Sequence, residues 1–395
     1  MKTPKSLRLH IALFGRTNAG KSSFMNLIAG QDVSIVSEQP GTTTDVVEKP
    51  MELLPLGPVI FIDTAGVDDA TALGGKRIEK TEKIFDRADI ILLICEGDKI
   101  GKFETAVLEK AAAKKIPIIK IANKSDLTDM SDSSDFISVN STNAGDRDRV
   151  LAELKSKLIA VCPEEFIQPP PLVGDLLPSG GLAVLIVPID LQAPKGRLIV
   201  PQVSTIRDAL DSDCATLVVK ETEYAQMLKR LNTPPDLIVC DSQVVKRMID
   251  ETPATVPCTT FSILFARLKG DLKTLAAGAA QIDKLKSGDK ILIAESCTHH
   301  ATDDDIGRVK IPRWLRDYTG ADLQIDVYAG HDFPENLRDY SLVVQCGGCM
   351  HNRREVLSRI EKCAAAGVPI TNYGLCISKT AGVLDRVLEP FNLNR

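Results

Sequence analysis

The sequence predicts an α/β protein of three consecutive domains built on mainly parallel sheets. Short apolar runs alternate with helical-period segments along the whole chain, the pattern of strands and helices that wind about a sheet. The strand-like runs are separated by long crossovers, which antiparallel neighbours do not need. At 395 residues the chain has room for two or three cores of ordinary size.

Residues 7 to 161 open this series. The runs LRLHIALF, VIFIDT, DIILLIC, IPIIKIAN and FISVN read as strands, and KRIEKTEKIFDRA and DRDRVLAELKSKLIAV as helices on the sheet faces. CPEEFIQPPPLVGDLLPSGG, 162 to 181, breaks the pattern with five prolines. These features place a first domain at 1–165 and a linker at 166–181. A smaller α/β unit follows at 182–268, with LAVLIVPID, ATLVVK, DLIVCD and TVPCTT as buried strands. The third, 269–395, opens with the helical LKTLAAGAAQIDKLKSG and repeats the scheme through KILIAES, LQIDVYA, SLVVQC and VPITNY.

Composition narrows the function. The formal net charge is -5 and aromatics make up 4%, so there is no basic field and few stacking platforms for nucleic acid, and no nucleic-acid partner is expected. No window approaches the roughly 20 apolar residues that span a bilayer, and the N-terminus reads as a first strand, not a signal. A cytoplasmic protein without a membrane partner is expected. Its ten cysteines are then thiols or metal ligands.

GRTNAGKSS, 15 to 23, lies between a strand run and a helical run and fits the phosphate-loop pattern G-x-x-x-x-G-K-[ST] in its required context. Gly15, Asn18, Ala19, Gly20, Lys21, Ser22 and Ser23 are the candidate cradle. Its backbone N–H groups face phosphates, Lys21 offers them a charge, and the Ser22 hydroxyl offers Mg²⁺ a ligand. DTAG closes the VIFIDT strand, so that Asp63 reaches Mg²⁺ through water and the Gly66 N–H meets the γ-phosphate. NKSD, 123 to 126, supplies Asn123, Lys124 and Asp126. The Asp126 carboxylate accepts from N1–H and N2–H of guanine, a donor pair that adenine lacks. VNST supplies Ser141, whose N–H is expected at guanine O6, and Thr142. Four such strings on successive strands predict a P-loop GTPase fold binding GTP and GDP.

These strings resemble the TrmE–Era type of GTPases. PGTTTD, 40 to 45, is similar to the first switch of that group, and the resemblance places Thr43 at the γ-phosphate and Mg²⁺. Asn18 is similar to a residue that ligates K⁺ there. Val67 stands where a water-orienting glutamine would follow DTAG, so slow unaided, K⁺-stimulated hydrolysis is expected. Lys21, Thr43, Asp63 and Gly66 are the candidate catalytic residues.

Seven cysteines, Cys95, Cys162, Cys214, Cys240, Cys258, Cys363 and Cys376, read as structural. Cys297 follows KILIAES, and Cys346 and Cys349 follow SLVVQ. All three should emerge at the carboxyl edge of one parallel sheet, with His299 beside Cys297. A C-x-x-C alone divides among a redox pair, a metal site and neither. The helical HNRREVLSRI beyond the pair keeps redox chemistry open. Three sulfurs favour an iron–sulfur cluster with one open iron position, since structural zinc takes four closed ligands. His300, His331 and His351 read as exposed or core-satisfied imidazoles.

With the GTPase strings, the middle α/β domain and C-x-H followed about fifty residues later by C-x-x-C, the chain resembles the [FeFe]-hydrogenase H-cluster maturation GTPases over its whole length. The resemblance implies a GTPase domain, a dimerisation domain and a cluster domain, working as scaffold and carrier. It implies a [4Fe-4S] cluster on Cys297, Cys346 and Cys349, with His299 a candidate fourth ligand and Glu295 or solvent the others. It also implies a transient diiron subcluster precursor as cargo, a homodimer, and two partners: radical S-adenosylmethionine maturases and apo-[FeFe]-hydrogenase. Gln345 stands where the family commonly has His, which puts that fourth position in doubt. The competing expectation is an RNA-modification or ribosome-assembly GTPase with a C-terminal zinc or redox domain.

Overall fold

A computed structural model describes residues 3–30, 47–64, 81–127, 135–189, 196–296 and 305–393. The chain divides into two compact units, Met1–Pro169 and Pro170–Arg395.

The first unit is a six-stranded sheet of order β2-β3-β1-β4-β5-β6. Its strands are β1 Leu9–Phe14, β2 Val47–Leu53, β3 Gly57–Asp63, β4 Ile90–Glu96, β5 Ile118–Asn123 and β6 Phe136–Ser138. All pairings are parallel except β2 with β3. The antiparallel β2 went unrecognised in the sequence because it carries Pro50 and charged residues, which an edge strand tolerates. Side chains alternate across the sheet. Leu9, Ile11 and Leu13 of β1 join one core with Phe24 and Ile28 of helix α1 (Lys21–Ala29) and Leu154 and Leu158 of α3 (Arg147–Val161). Ala12 and Phe14 join the opposite core with Phe85 and with Val107 of α2 (Lys102–Ala113).

The second unit holds two four-stranded sheets, both wholly parallel. One comprises β7 Leu182–Ile186, β8 Ala215–Val219, β9 Leu237–Cys240 and β10 Cys258–Thr260, in the order β10-β9-β7-β8. The other comprises β11 Lys290–Ala294, β12 Gln324–Tyr328, β13 Leu342–Gln345 and β14 Ile370–Asn372. From the matching end its order is β14-β13-β11-β12, so the two sheets share one topology. In each, the chain moves outward to one side of its first strand and then crosses to the other, leaving a crevice at the carboxyl ends of the first and third strands.

The two sheets share a continuous core in which Val184 and Ile238 belong to the same cluster as Ile291 and Val343. Helix α5 (Phe261–Lys269) presents Leu264 and Phe265 to a second cluster and Ile263 to the shared one. That second cluster also takes Leu172, Val173 and Leu177 of the proline-rich segment. The Asp208 carboxylate of α4 (Val200–Asp211) accepts from the backbone N–H groups of Leu172, Val173 and Gly174 at 3.0, 2.7 and 2.9 Å. Residues from 172 onward are thus built into this unit, through a carboxylate held by charge-assisted bonds.

The alanine-rich α6 (Leu272–Ala280) lies directly on β14. A Cβ at Gly278 would come within 1.9 Å of the Ile370 carbonyl oxygen, so only a hydrogen side chain permits this approach. Gly278→Ala should therefore lower unfolding stability by about 1–3 kcal/mol, the range for overpacking against groups that cannot yield. A shift of the urea midpoint checks this, and an unchanged midpoint would place the helix farther from the strand.

Candidate functional site

The nucleotide loop forms where the first unit's strand order reverses. β1 lies between β3 and β4, and residues 15–20 leave its carboxyl end for the N-terminus of α1. Gly20 caps that helix at φ 93, and a Cβ there would strike Asn123 Nδ2 at 2.1 Å. Left-handed backbone and close approach both exclude a side chain. Lys21 is buried, with Nζ donating to the carbonyls of Gly15 (2.5 Å) and Arg16 (3.1 Å). Ser22 and Ser23 are exposed in the first turn of α1, beside helix N–H groups that favour anions. Asn18 is exposed with φ 63. Asp63 ends β3 and is buried, and the neighbouring Thr64 hydroxyl donates to the Leu13 carbonyl at 2.6 Å.

Asn123 ties the loops together. Its side chain is buried, donates to the Ala19 carbonyl at 2.8 Å and accepts from the Ser141 N–H at 3.2 Å and hydroxyl at 2.8 Å. The Ser125 N–H donates to the Val139 carbonyl at 3.2 Å, leaving Asp126 exposed beside them. The sequence assigned the Ser141 N–H to guanine O6, whereas here it is engaged by Asn123. The Thr142 N–H donates to Asn140 Oδ1 at 3.0 Å, and Lys124, at φ 58, pairs with Glu96 at 2.9 Å. The bracing role of Asn123 was legible only as motif membership, since its partners lie 104 and 18 residues away. Thr43 and the rest of PGTTTD, with Gly66 and Val67, lie outside the described residues.

In the second unit, β11 and β13 are neighbours with Ala294 opposite Gln345. The Cys346 N–H continues the ladder to the Ala294 carbonyl at 2.8 Å, and Cys346 Sγ donates to Ser296 Oγ at 2.8 Å. Ser296 is the residue before Cys297 in the sequence. The two cysteine-bearing loops therefore leave adjacent strands at the crevice of their sheet. Cys297, His299 and His300 lie outside the described residues.

The 346–351 loop closes over Lys269. This lysine is 2% exposed, and its ammonium donates to the carbonyls of Gly348 at 2.7 Å and His351 at 2.8 Å. Burial draws its pKa down to about 8, and Cys349 and Cys346 pull the other way. Burial pushes the Cys349 thiol up to about 11, with Cys346 adding to the rise and Lys269 opposing it. Burial thus works against the free thiolate at Cys349, unlike the setting that activates an exchange-active cysteine. Moreover, α7 (Arg353–Ala366) starts beyond the pair, with Asn352 as its cap. Glu295 is buried and both its oxygens are taken by Arg308, at 3.2 and 3.1 Å from Nε and 2.8 Å from Nη2. A carboxylate held by that fork is poorly placed to serve as a metal ligand. Gln345 is buried at the end of β13. Cys95, Cys214, Cys240, Cys258, Cys363 and Cys376 are buried and Cys162 half-buried, as structural cysteines are.

A mainly parallel sheet with this loop set at its strand-order reversal defines a P-loop GTPase fold, and residues 10–124 match the 50S ribosome-binding GTPase model. Behind it, residues 172–270 match the hydrogen maturase F dimerization domain and 273–390 its tetramerization domain. The chain belongs to the hydrogen maturase F (HydF) family and carries a TrmE/Era-type GTPase domain. Over 121 residues it is 40% identical to the tRNA modification GTPase MnmE of Prochlorococcus marinus, covering 30% of this chain and 26% of that protein. Over 120 residues it is 39% identical to the GTPase Era of Caldicellulosiruptor saccharolyticus, covering 30% and 40%. The chain thus spans about a quarter to two-fifths of these relatives. The solved G domain of the T. maritima FeoB iron transporter is 21% identical, covering 39% of this chain and 98% of that one at a TM-score of 0.30. No helix among the described residues is long and apolar enough to cross a membrane.

Replacing Asn123 by Ala strands the Ala19 carbonyl and the Ser141 N–H, each a loss of about 1–3 kcal/mol when buried. GTP and GDP affinities should fall together by at least about tenfold (1.4 kcal/mol) in calorimetric titration. Retained affinity would mean that other contacts hold the loops.

Proposed function

We propose that the chain is a GTP-hydrolysing scaffold that holds a [4Fe-4S] cluster and carries the diiron subcluster precursor to apo-[FeFe]-hydrogenase. Its domains are 1–165 for GTP, 182–268 for dimerisation and 269–395 for the cluster, with 166–181 as a linker whose part from Leu172 is fastened to the second unit. The observation that carries the reading is the 2.8 Å contact between Cys346 and Ser296. It supports the convergence of Cys297, Cys346 and Cys349 on the crevice between β11 and β13. The donor chemistry fits: soft sulfur suits iron, and buried Lys269 offsets the negative charge of thiolates nearby. With Glu295 engaged by Arg308, His299 or solvent fills the fourth position. The bound cluster would offer the incoming diiron unit an iron with an exchangeable ligand. The chain's own residues orient the thiols, exclude water around Lys269 and hold the loop closed.

In the first domain, Ser22, Thr43 and Asp63 serve Mg²⁺, Lys21 and Gly66 the phosphates, Asn18 K⁺, and Asp126 the base. The γ-phosphate orders the switches, through which hydrolysis biases contacts with the radical S-adenosylmethionine maturases and the apo-hydrogenase. The family's domain names support self-association, as do the half-exposed edge strands β8 and β12, with Val218 and Val327 facing solvent. A cytoplasmic location follows from these partners. The RNA-GTPase alternative draws on matches confined to about 120 residues. The hydrogen maturase F matches span most of the remainder.

Asp126→Asn exchanges an acceptor pair for an amide that can donate to a C2 carbonyl. GTP turnover at fixed substrate should fall at least about 100-fold while XTP turnover rises, and hydrolysis by the parent should run faster in K⁺ than in Na⁺. An unchanged GTP:XTP ratio removes Asp126 from the base site, and equal rates in the two salts remove Asn18 from the cation site. Anaerobic reconstitution should yield about four irons and four sulfides per chain with an EPR signal on reduction. Cys297→Ser, Cys346→Ser and Cys349→Ser should each abolish it. Retention in all three variants overturns the cluster assignment.

A further inference from the structure

Beside the cysteine loop, with His351 two residues past Cys349, three side chains present metal-ligand atoms to one point. His331 Nδ1 lies 2.8 Å from Glu355 Oε1, and His351 Nε2 lies 3.4 Å from the same oxygen. All three ligand atoms fall within 4.8 Å of one another, the one such grouping among the described residues. They come from separate stretches of chain. His331 sits in the loop after β12, His351 in the loop after β13, and Glu355 in the first turn of α7. Sequence spacing gave no hint of this, because His331 precedes the other two by 20 and 24 residues.

We propose that His331, His351 and Glu355 form a mononuclear site for a divalent ion of the zinc class, separate from the cluster cysteines. Two imidazoles and one carboxylate are the donor set of open zinc sites, with nitrogen and oxygen about 2.0–2.2 Å from the metal. Ligand atoms at the corners of such a tetrahedron stand about 3.3 Å apart. The 3.4 Å pair already meets this, and the 2.8 Å pair needs a movement of about half an ångström by His331, the freer of the two rings. The ion would take the place of the His331–Glu355 hydrogen bond, bound by the Nδ1 lone pair of a neutral imidazole.

Burial and support favour a fixed site. The His351 and Glu355 side chains are 2% and 6% exposed, while His331 is 41% exposed and opens a route for the ion and a fourth ligand from water. The imidazole rings stack with centroids 5.4 Å apart. Arg359 sits just outside, with Nη2 3.9 Å from Glu355 Oε1 and 2.7 Å from the Gly330 carbonyl beside His331. It therefore orients both the carboxylate and the His331 loop, as outer partners of metal ligands do. Asn352 Oδ1 accepts from the Glu355 N–H at 3.1 Å and fixes that turn.

The test uses the full-length chain, with zinc as the probe, in the parent and in a Cys346→Ser/Cys349→Ser variant that removes two of the three cluster thiols and leaves Cys297 alone. Each is equilibrated with zinc and freed of loose metal, and zinc and iron are counted together. Expected is one zinc per chain that persists in the double variant. Affinity, read by chelator competition, should fall more than about 100-fold in His331→Ala made on that background, beyond the loss of an outer partner. His331 is exposed enough for the substitution to leave the fold intact, which circular dichroism confirms. Cobalt in the double variant should show d–d bands without thiolate charge transfer. Absence of zinc from the double variant, or equal affinity in His331→Ala, overturns the site. Iron content reports on the cluster independently, so the two assignments fail separately.

Discussion

A parallel strand cannot be reached by a tight turn, and this constraint shapes every functional feature of the chain. Each return to the same end of a sheet costs a crossover. When crossovers lead first to one side of the opening strand and then to the other, the loops part at its carboxyl end. All three sheets do this, at β1, β7 and β11. The phosphate loop occupies the first parting and the C-x-x-C loop the third. The buried strands that enforce the geometry are apolar on both faces, so the sites rest on the least yielding parts of the molecule.

At both sites one buried polar side chain holds loops that are distant in sequence. Asn123 spans the phosphate loop and the Ser141 turn, and Lys269 spans the carbonyls on either side of Met350. Burying such groups is tolerable only when their hydrogen bonds are met, so each works as a clamp whose release costs more than the bonds themselves are worth. The two clamps differ in consequence. The neutral amide sets distances between loops, whereas the ammonium also sets the charge around two sulfurs. The same economy explains Asp208, whose carboxylate fastens the start of the second unit through three N–H groups.

Much of this was legible in residue order because it depends on local chemistry. Gly20 and Lys21 read as a phosphate loop since a left-handed turn and a helix start demand those types, and the buried runs of β1, β4, β11 and β13 read as strands from continuous apolarity. The structure departs from the reading where a side chain has a partner far along the chain. Glu295 reads as a possible ligand but is held by Arg308. The Ser141 N–H, expected at guanine O6, lies 3.2 Å from Asn123 Oδ1, a partner that spacing does not show. His331 and His351 read as exposed or core-satisfied imidazoles, and the fold brings both to Glu355. The edge strand β2 was missed because proline and charge mask its pairing.

The sequence by itself determined the fold class, the nucleotide loop and the family resemblance, since these rest on periodicity and on motifs whose chemistry is complete within a few residues. Only the tertiary structure decided that two parallel sheets of one topology share a core, that Cys346 meets the residue before Cys297, and that two histidines and a glutamate meet at a point. Contacts of that kind depend on strand order and on crossover lengths, which bring together residues tens of positions apart. Spacing along the chain carries no record of them.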